Sequence, residues 1–131
     1  MSAVVDVFVS AALADAAVSR ELADTLTASG ISCFASASDR SSADALTALE
    51  SGRAVVLILS AAANAAPDVV RELERAAARG IPIISLAIED VSPSPSIAYF
   101  TATAPPIPAW SGDRQRALQV LAEAAQRALN E

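Results

Sequence analysis

The sequence predicts a three-layer, doubly wound α/β domain around a central, mostly parallel five-stranded sheet. Two features of its patterning lead there. Short β-branched, apolar runs alternate with stretches of helical period, an order that implies parallel pairing through right-handed crossovers. One of those runs, AVVLILS (54–60), is apolar without a break up to its closing serine, as a strand covered on both faces must be. The composition agrees: hydrophobic residues make up 53% of the chain and aromatics only 4%, so Ala, Val, Leu and Ile must build the core. With 131 residues, the chain suits one domain, 1–131, with one core.

VVDVFVS (4–10) is the first predicted strand, ISCFAS (31–36) the second, AVVLILS the third and IPIISLAIED (81–90) the fourth. PPIPAW (105–110) supplies a fifth, which its prolines confine to an edge. Helices are predicted at Ala14 to Ala28, with Val18, Leu22 and Leu26 on one face, and at about Ser42 to Glu50. Two more run from Pro67 to Arg79 and from Arg114 to Leu129, the latter with Leu118, Leu121 and Leu129 inward. Pro67 suits a first helical position, Asp68 the positive end of the helix dipole, and Gly80 a left-handed terminus. VSPSPS (91–96) reads as a stiff connection. A flavodoxin-like strand order fits this sequence of elements, and it places ligands outside the carboxyl ends of the strands.

What is missing narrows the chemistry. The chain has no histidine and one cysteine, Cys33, so it cannot build a Ser/His/Asp or Cys/His nucleophile pair or a zinc site of the usual kind. Cys33 falls in a predicted strand, where a buried structural thiol is expected. All nine basic residues are arginine and are outnumbered by fifteen acids; a net charge of −6 offers nucleic acid no electrostatic footing. No apolar run approaches the ~20 residues of a membrane span, and no signal-like segment opens the sequence, so a soluble, cytoplasmic protein is expected. Neither GxGxxG nor GxxxxGK[ST] occurs.

The helix at 67–79 carries two glutamates of interest. At ~100° per residue, Val69, Val70, Leu73, Ala76 and Ala77 form its apolar stripe, with Glu72 and Glu74 on opposite borders. Helical geometry does not choose between them. Glu72 could equally be a solvated carboxylate spaced to pair with Arg75 or Arg79. Ser10, Ser36 and Ser60 end predicted strands, where their hydroxyls could bond a ribose or phosphate or simply close a local turn. Asp39 and Arg40 fall in a loop that would overhang the strand ends, and a guanidinium such as that of Arg40 suits a pyrophosphate. Asp6, flanked by Val5 and Val7, must reach a partner or the end of its strand; a structural role is expected.

In order along the chain, DVFVS, SGISCF, RAVVLILS, DVVRELERAAARGIPIISLAIEDV and SIAYF resemble boxes of the Toll/interleukin-1 receptor (TIR) domain, particularly its bacterial branch. The most specific of these is similar to the family's helix in which Trp-Cys-x-x-Glu-Leu precedes a Gly-x-Pro-Ile strand. The resemblance implies that Glu72, rather than Glu74, is the catalytic glutamate of an NAD+ hydrolase, with NAD+ as substrate and no cofactor or metal. That activity would release nicotinamide and ADP-ribose, or a cyclic form, in bacterial defence or toxin signalling. It would be activated by clustering through other TIR domains or a fused regulatory domain. The resemblance further places Ala11 and Asp68 at substrate-binding positions, beside Ser10, Ser36, Arg40 and Ser60. Here the chain departs from the pattern: Ala11 and Ala12 stand where enzymatic members often have an aromatic or basic residue, and Asp68 where they have tryptophan. The assembly loop appears as SASDRSSAD, without proline or glycine. These departures suit the alternative expectation, a catalytically silent TIR-like domain acting in protein assembly; a nucleotide-sensing module without turnover would use the same strand-end site.

Overall fold

A computed structural model describes residues 5–37, 43–102 and 104–130. Among them the strands are β1 (Val7–Ser10), β2 (Cys33–Ala35), β3 (Ala54–Leu59), β4 (Ile83–Ala87) and β5 (Ile107–Pro108). The helices are α1 (Ala16–Ala28), α2 (Ala43–Ser51), α3 (Ala61–Asn64), α4 (Pro67–Arg79), α5 (Pro95–Thr101) and α6 (Arg114–Leu129), with a 3-10 turn at Leu13–Asp15. The sheet order is β2-β1-β3-β4-β5 and every pairing is parallel, which is the doubly wound flavodoxin-like arrangement. β1 and β3 are adjacent at its centre, in register Phe8 opposite Val55.

The period of two along the strands sorts side chains into two cores. Val7, Val9, Val56 and Ile58 face α1 and α6, packing with Leu22, Leu26, Leu118 and Leu121. Phe8, Val55, Leu57 and Leu59 face the other way, against Leu49 of α2 and Val69, Leu73 and Ala76 of α4. Phe8 also stacks on Phe34, its register partner in β2, with ring centroids 6.1 Å apart. β5 is short because Pro105 and Pro106 precede it and Pro108 lies within it, so few backbone donors are left for a ladder.

Arginines tie the ends of the helices down. Arg79 donates to the carbonyls of Leu49 and Gly52 (2.9 and 2.8 Å), capping α2 from the far end of α4. Arg53 reaches the Leu129 carbonyl at the end of α6 and pairs with Asp6 at 3.5 Å. Asp6 lies just before β1 rather than inside it, and its carboxylate also accepts from the Ser32 amide, so its role is structural. Gly80 closes α4 at φ 73°, a left-handed conformation that favours glycine.

Two segments differ from expectation. VSPSPS is not wholly a connection: Ser94 caps α5, its hydroxyl accepting from the Ile97 amide, and Pro95 takes the first helical position. The 14–28 helix begins as a 3-10 turn and becomes α-helical at Ala16. Among the described residues no helix is long and apolar enough to cross a membrane.

Two polar groups generate predictions: Ser19, which is buried, and Cys33, which is half-buried where a buried thiol was expected. The Ser19 hydroxyl is fully buried on the core face of α1 with no hydrogen-bond partner among the described residues. Ser19→Ala removes that unsatisfied group and favours helix, so thermal denaturation of the variant is expected to show a gain of about 1 kcal/mol. Burial pushes the Cys33 thiol above its ordinary 9.0; the Asp24 carboxylate adds to the rise and a hydrogen bond with Thr27 opposes it. A folded value above the unfolded one means that the neutral thiol contributes stability below pH ~9, lost as pH climbs through the folded value. Denaturant titrations from pH 8 to 11 should therefore show a steeper alkaline loss in the native protein than in Cys33→Ala.

Candidate functional site

The same period of two that sorts the core builds the site. β1 ends in Phe-Val-Ser and β2 runs into Phe-Ala-Ser, so Ser10 and Ser36 share the face of the stacked Phe8 and Phe34, one pleat nearer the carboxyl ends. That face is covered by α4, whose Glu72 precedes Leu73 of the core and is only 7% exposed. Both hydroxyls converge on one oxygen of it: Ser10 Oγ donates to Glu72 Oε1 at 2.6 Å and Ser36 Oγ at 3.1 Å. A carboxylate taken this far out of water is tolerated because hydroxyl donors replace part of its hydration. Glu74 is exposed on the other border of the helix, so of the two it is Glu72 that faces the sheet.

Beside Glu72 a cleft of about 190 Å³ opens between α2 and α4. Its described lining is divided: Phe8, Ala45, Leu46 and Leu49 make an apolar wall, while Asp68, Arg71, Glu72 and Arg75 of α4 make a charged one. Asp68 and Arg71 form an ion pair with each other at 3.5 Å. Among the described residues, no group of three or more His, Cys, Asp or Glu could hold a metal ion.

Not every expected residue gathers here. Ser60 belongs to the opposite face by strand parity, following Ile58 rather than Leu59. Its hydroxyl donates to Asp15 and accepts from the Ala63 amide (3.0 Å) as the cap of α3, so it closes a local turn. Ala11 likewise follows Val7 and Val9 into the α1/α6 core, where it is fully buried and its side chain lines no part of the cleft. Glu89 accepts from the Ala61 amide at 2.7 Å and helps fix the start of α3. Asp68 does line the cleft, and Arg40 and Asp39 lie outside the described residues. Arg75, considered in the sequence only as an ion-pair partner of Glu72, lines the cleft, and the apolar wall of α2 went unrecognised; the repeated Phe-x-Ser at two strand ends was the signal that could have paired Ser10 with Ser36 and excluded Ser60.

A model of the TIR domain matches residues 7–122, nearly the whole chain. The protein belongs to the TIR domain family. The TIR domain of the Toll-related receptor TRR-2 from Hydra magnipapillata is similar at a TM-score of 0.72 and 16% identity, covering 97% of this chain and 99% of that one. The TIR domains of the activated Roq1 resistosome, which recognises the effector XopQ, are similar at 0.53 and 21%, covering 97% and 84%. At these identities the two likenesses describe the TIR fold alone. No curated protein matches the TIR chain by sequence.

The two groups of serines are separable by thermodynamic coupling. In double-mutant cycles read by denaturant unfolding, Ser10→Ala with Glu72→Ala should show a coupling of ~0.5–3 kcal/mol, because each change removes the one hydrogen bond the pair shares. Ser60→Ala with Glu72→Ala should be additive.

Proposed function

We propose that this TIR domain cleaves NAD+ at the nicotinamide–ribose bond, with Glu72 as the catalytic residue. One observation carries the proposal: the Glu72 carboxylate is buried at the carboxyl ends of β1 and β2, aimed by the Ser10 and Ser36 hydroxyls, and it borders an open cleft. That is where doubly wound sheets bind ligands, and Glu72 is the residue that the likeness of DVVRELERAAARGIPIISLAIEDV to the family's catalytic helix singles out. In this reading the C1′–N bond breaks and its electron pair leaves with neutral nicotinamide. The positive charge developing on the ribose is stabilised by the fixed carboxylate. Water then bonds to C1′ and loses a proton, giving ADP-ribose; attack by an adenine nitrogen would give a cyclic product. The preorganised position of Glu72 supplies the catalysis, and no cofactor or metal takes part. We further assign the reaction to bacterial defence or toxin signalling in the cytoplasm, switched on when a fused domain or other TIR domains cluster the chain.

A second reading, a silent assembly domain, has its own support. Asp68 faces the cleft where an aromatic residue would back a ring, while Tyr99 and Trp110, 78% and 48% exposed, offer aromatic surface of the kind protein interfaces use.

Incubating concentrated or artificially clustered protein with NAD+ and following nicotinamide release decides between them. Turnover is expected, with a fall of ~10²- to 10³-fold in Glu72→Gln, which keeps the side-chain volume but removes the charge. Glu74→Ala, exposed and outside the cleft, should leave the rate unchanged. No release from clustered native protein would favour the assembly reading, and equal losses in both variants would mean that stability, not catalysis, had been perturbed.

A further inference from the structure

The described part of the cleft's charged wall holds two cations, Arg71 and Arg75, in different settings. Arg71 is neutralised by Asp68, one turn behind it on α4. Arg75 forms no ion pair among the described residues and donates no hydrogen bond to them, although it is one turn beyond Glu72 and lines the same cleft. An exposed guanidinium held beside a carboxylate without pairing to it, in a chain of net charge −6, is a vacant anion-binding group.

The size of the cleft says which part of a ligand would meet it. At about 190 Å³ it is smaller than the ~300–1,000 Å³ of pockets that enclose a whole ligand. It can enclose a ring and its ribose against Phe8, Ala45, Leu46 and Leu49, and the remainder of a dinucleotide must lie across the mouth. Residues three apart on a helix sit ~5–6 Å from Cβ to Cβ, so Arg75 stands about one sugar's length from Glu72. With the reacting C1′ at Glu72, the group that falls beside Arg75 is the phosphate attached to that ribose and its neighbour.

We propose that Arg75 is the diphosphate-binding residue of this cleft, so that the site selects a nucleoside diphosphate or dinucleotide over a nucleoside. The assignment of C1′ to Glu72 rests on the proposed cleavage reaction, but the preference for a diphosphate does not. Guanidinium binds two phosphate oxygens at once, so Arg75 fixes the orientation of the substrate as well as attracting it.

Equilibrium dialysis of ADP and of adenosine, which differ by the diphosphate alone, tests the proposal on clustered protein. Native protein should bind ADP more tightly than adenosine. Arg75→Ala should weaken ADP roughly ten- to a hundredfold and leave adenosine unchanged. Arg75→Lys should recover part of the loss, and Arg116→Ala, a distant change of the same charge, should have no effect. In the cleavage assay, Arg75→Ala should raise KM for NAD+ without lowering kcat and should not affect nicotinamide riboside. ADP bound no better than adenosine, or an ADP affinity indifferent to Arg75, overturns the proposal. If ADP binding depends on Arg75 but NAD+ is not cleaved, the cleavage reading fails and the diphosphate site stands. If NAD+ is cleaved and Arg75→Ala alters neither ADP affinity nor KM, the reverse holds.

Discussion

Placing a carboxylate between a sheet and its covering helix is the constraint on which the rest of this site depends. Glu72 is too buried for water alone to solvate it, so the fold must bring donors to it, and among the described residues the sheet supplies two. Ser10 and Ser36 meet that demand because β1 and β2 are parallel neighbours in a register that sets Phe8 beside Phe34. The aromatic stack and the hydroxyl pair are successive rungs of one ladder. Slipping β2 by one residue would turn both Phe34 and Ser36 to the other face and take the Ser36 hydroxyl away from the carboxylate.

The same parity rule separates the cleft side of the sheet from the other. Residues in phase with Phe8 face α2 and α4, where the cleft is; residues in phase with Val7 face α1 and α6 and pack into the other core. Ser10 and Ser60 are both serines at the ends of central strands. One meets Glu72 and the other caps a four-residue helix, and only the count along the strand distinguishes them.

Much of the fold was legible because its signals are local. The continuous apolar run of β3, the Pro67 and Gly80 ends of α4 and the leucine spacing of α6 each point to an element without help from distant residues. What was not legible depends on distance in the sequence. Glu72 and Glu74 are symmetric about the apolar stripe until the sheet lies on one side, and the bond that distinguishes them joins residues 62 apart. The Ser94–Pro95 helix start was readable in principle, but two serine–proline pairs close together masked a cap as a stiff loop. Ala11 entered through the likeness to the family's segment after the first strand, and a match of that kind specifies height along the sheet while strand parity specifies the face.

The capping of α2 by Arg79 has a mechanical meaning for the cleft. Both helices run away from the strand ends, and Arg79 fastens them to each other at the base, about 10 Å along the axis from Glu72. The crevice is therefore built like a pair of tongs, riveted at one end. At 1.5 Å per residue Leu46 stands only one turn, ~4.5 Å, above the fastened Leu49 carbonyl, whereas Asp68 stands ~16 Å above Arg79, so the two lips of the mouth rise to unequal heights over the same fastening.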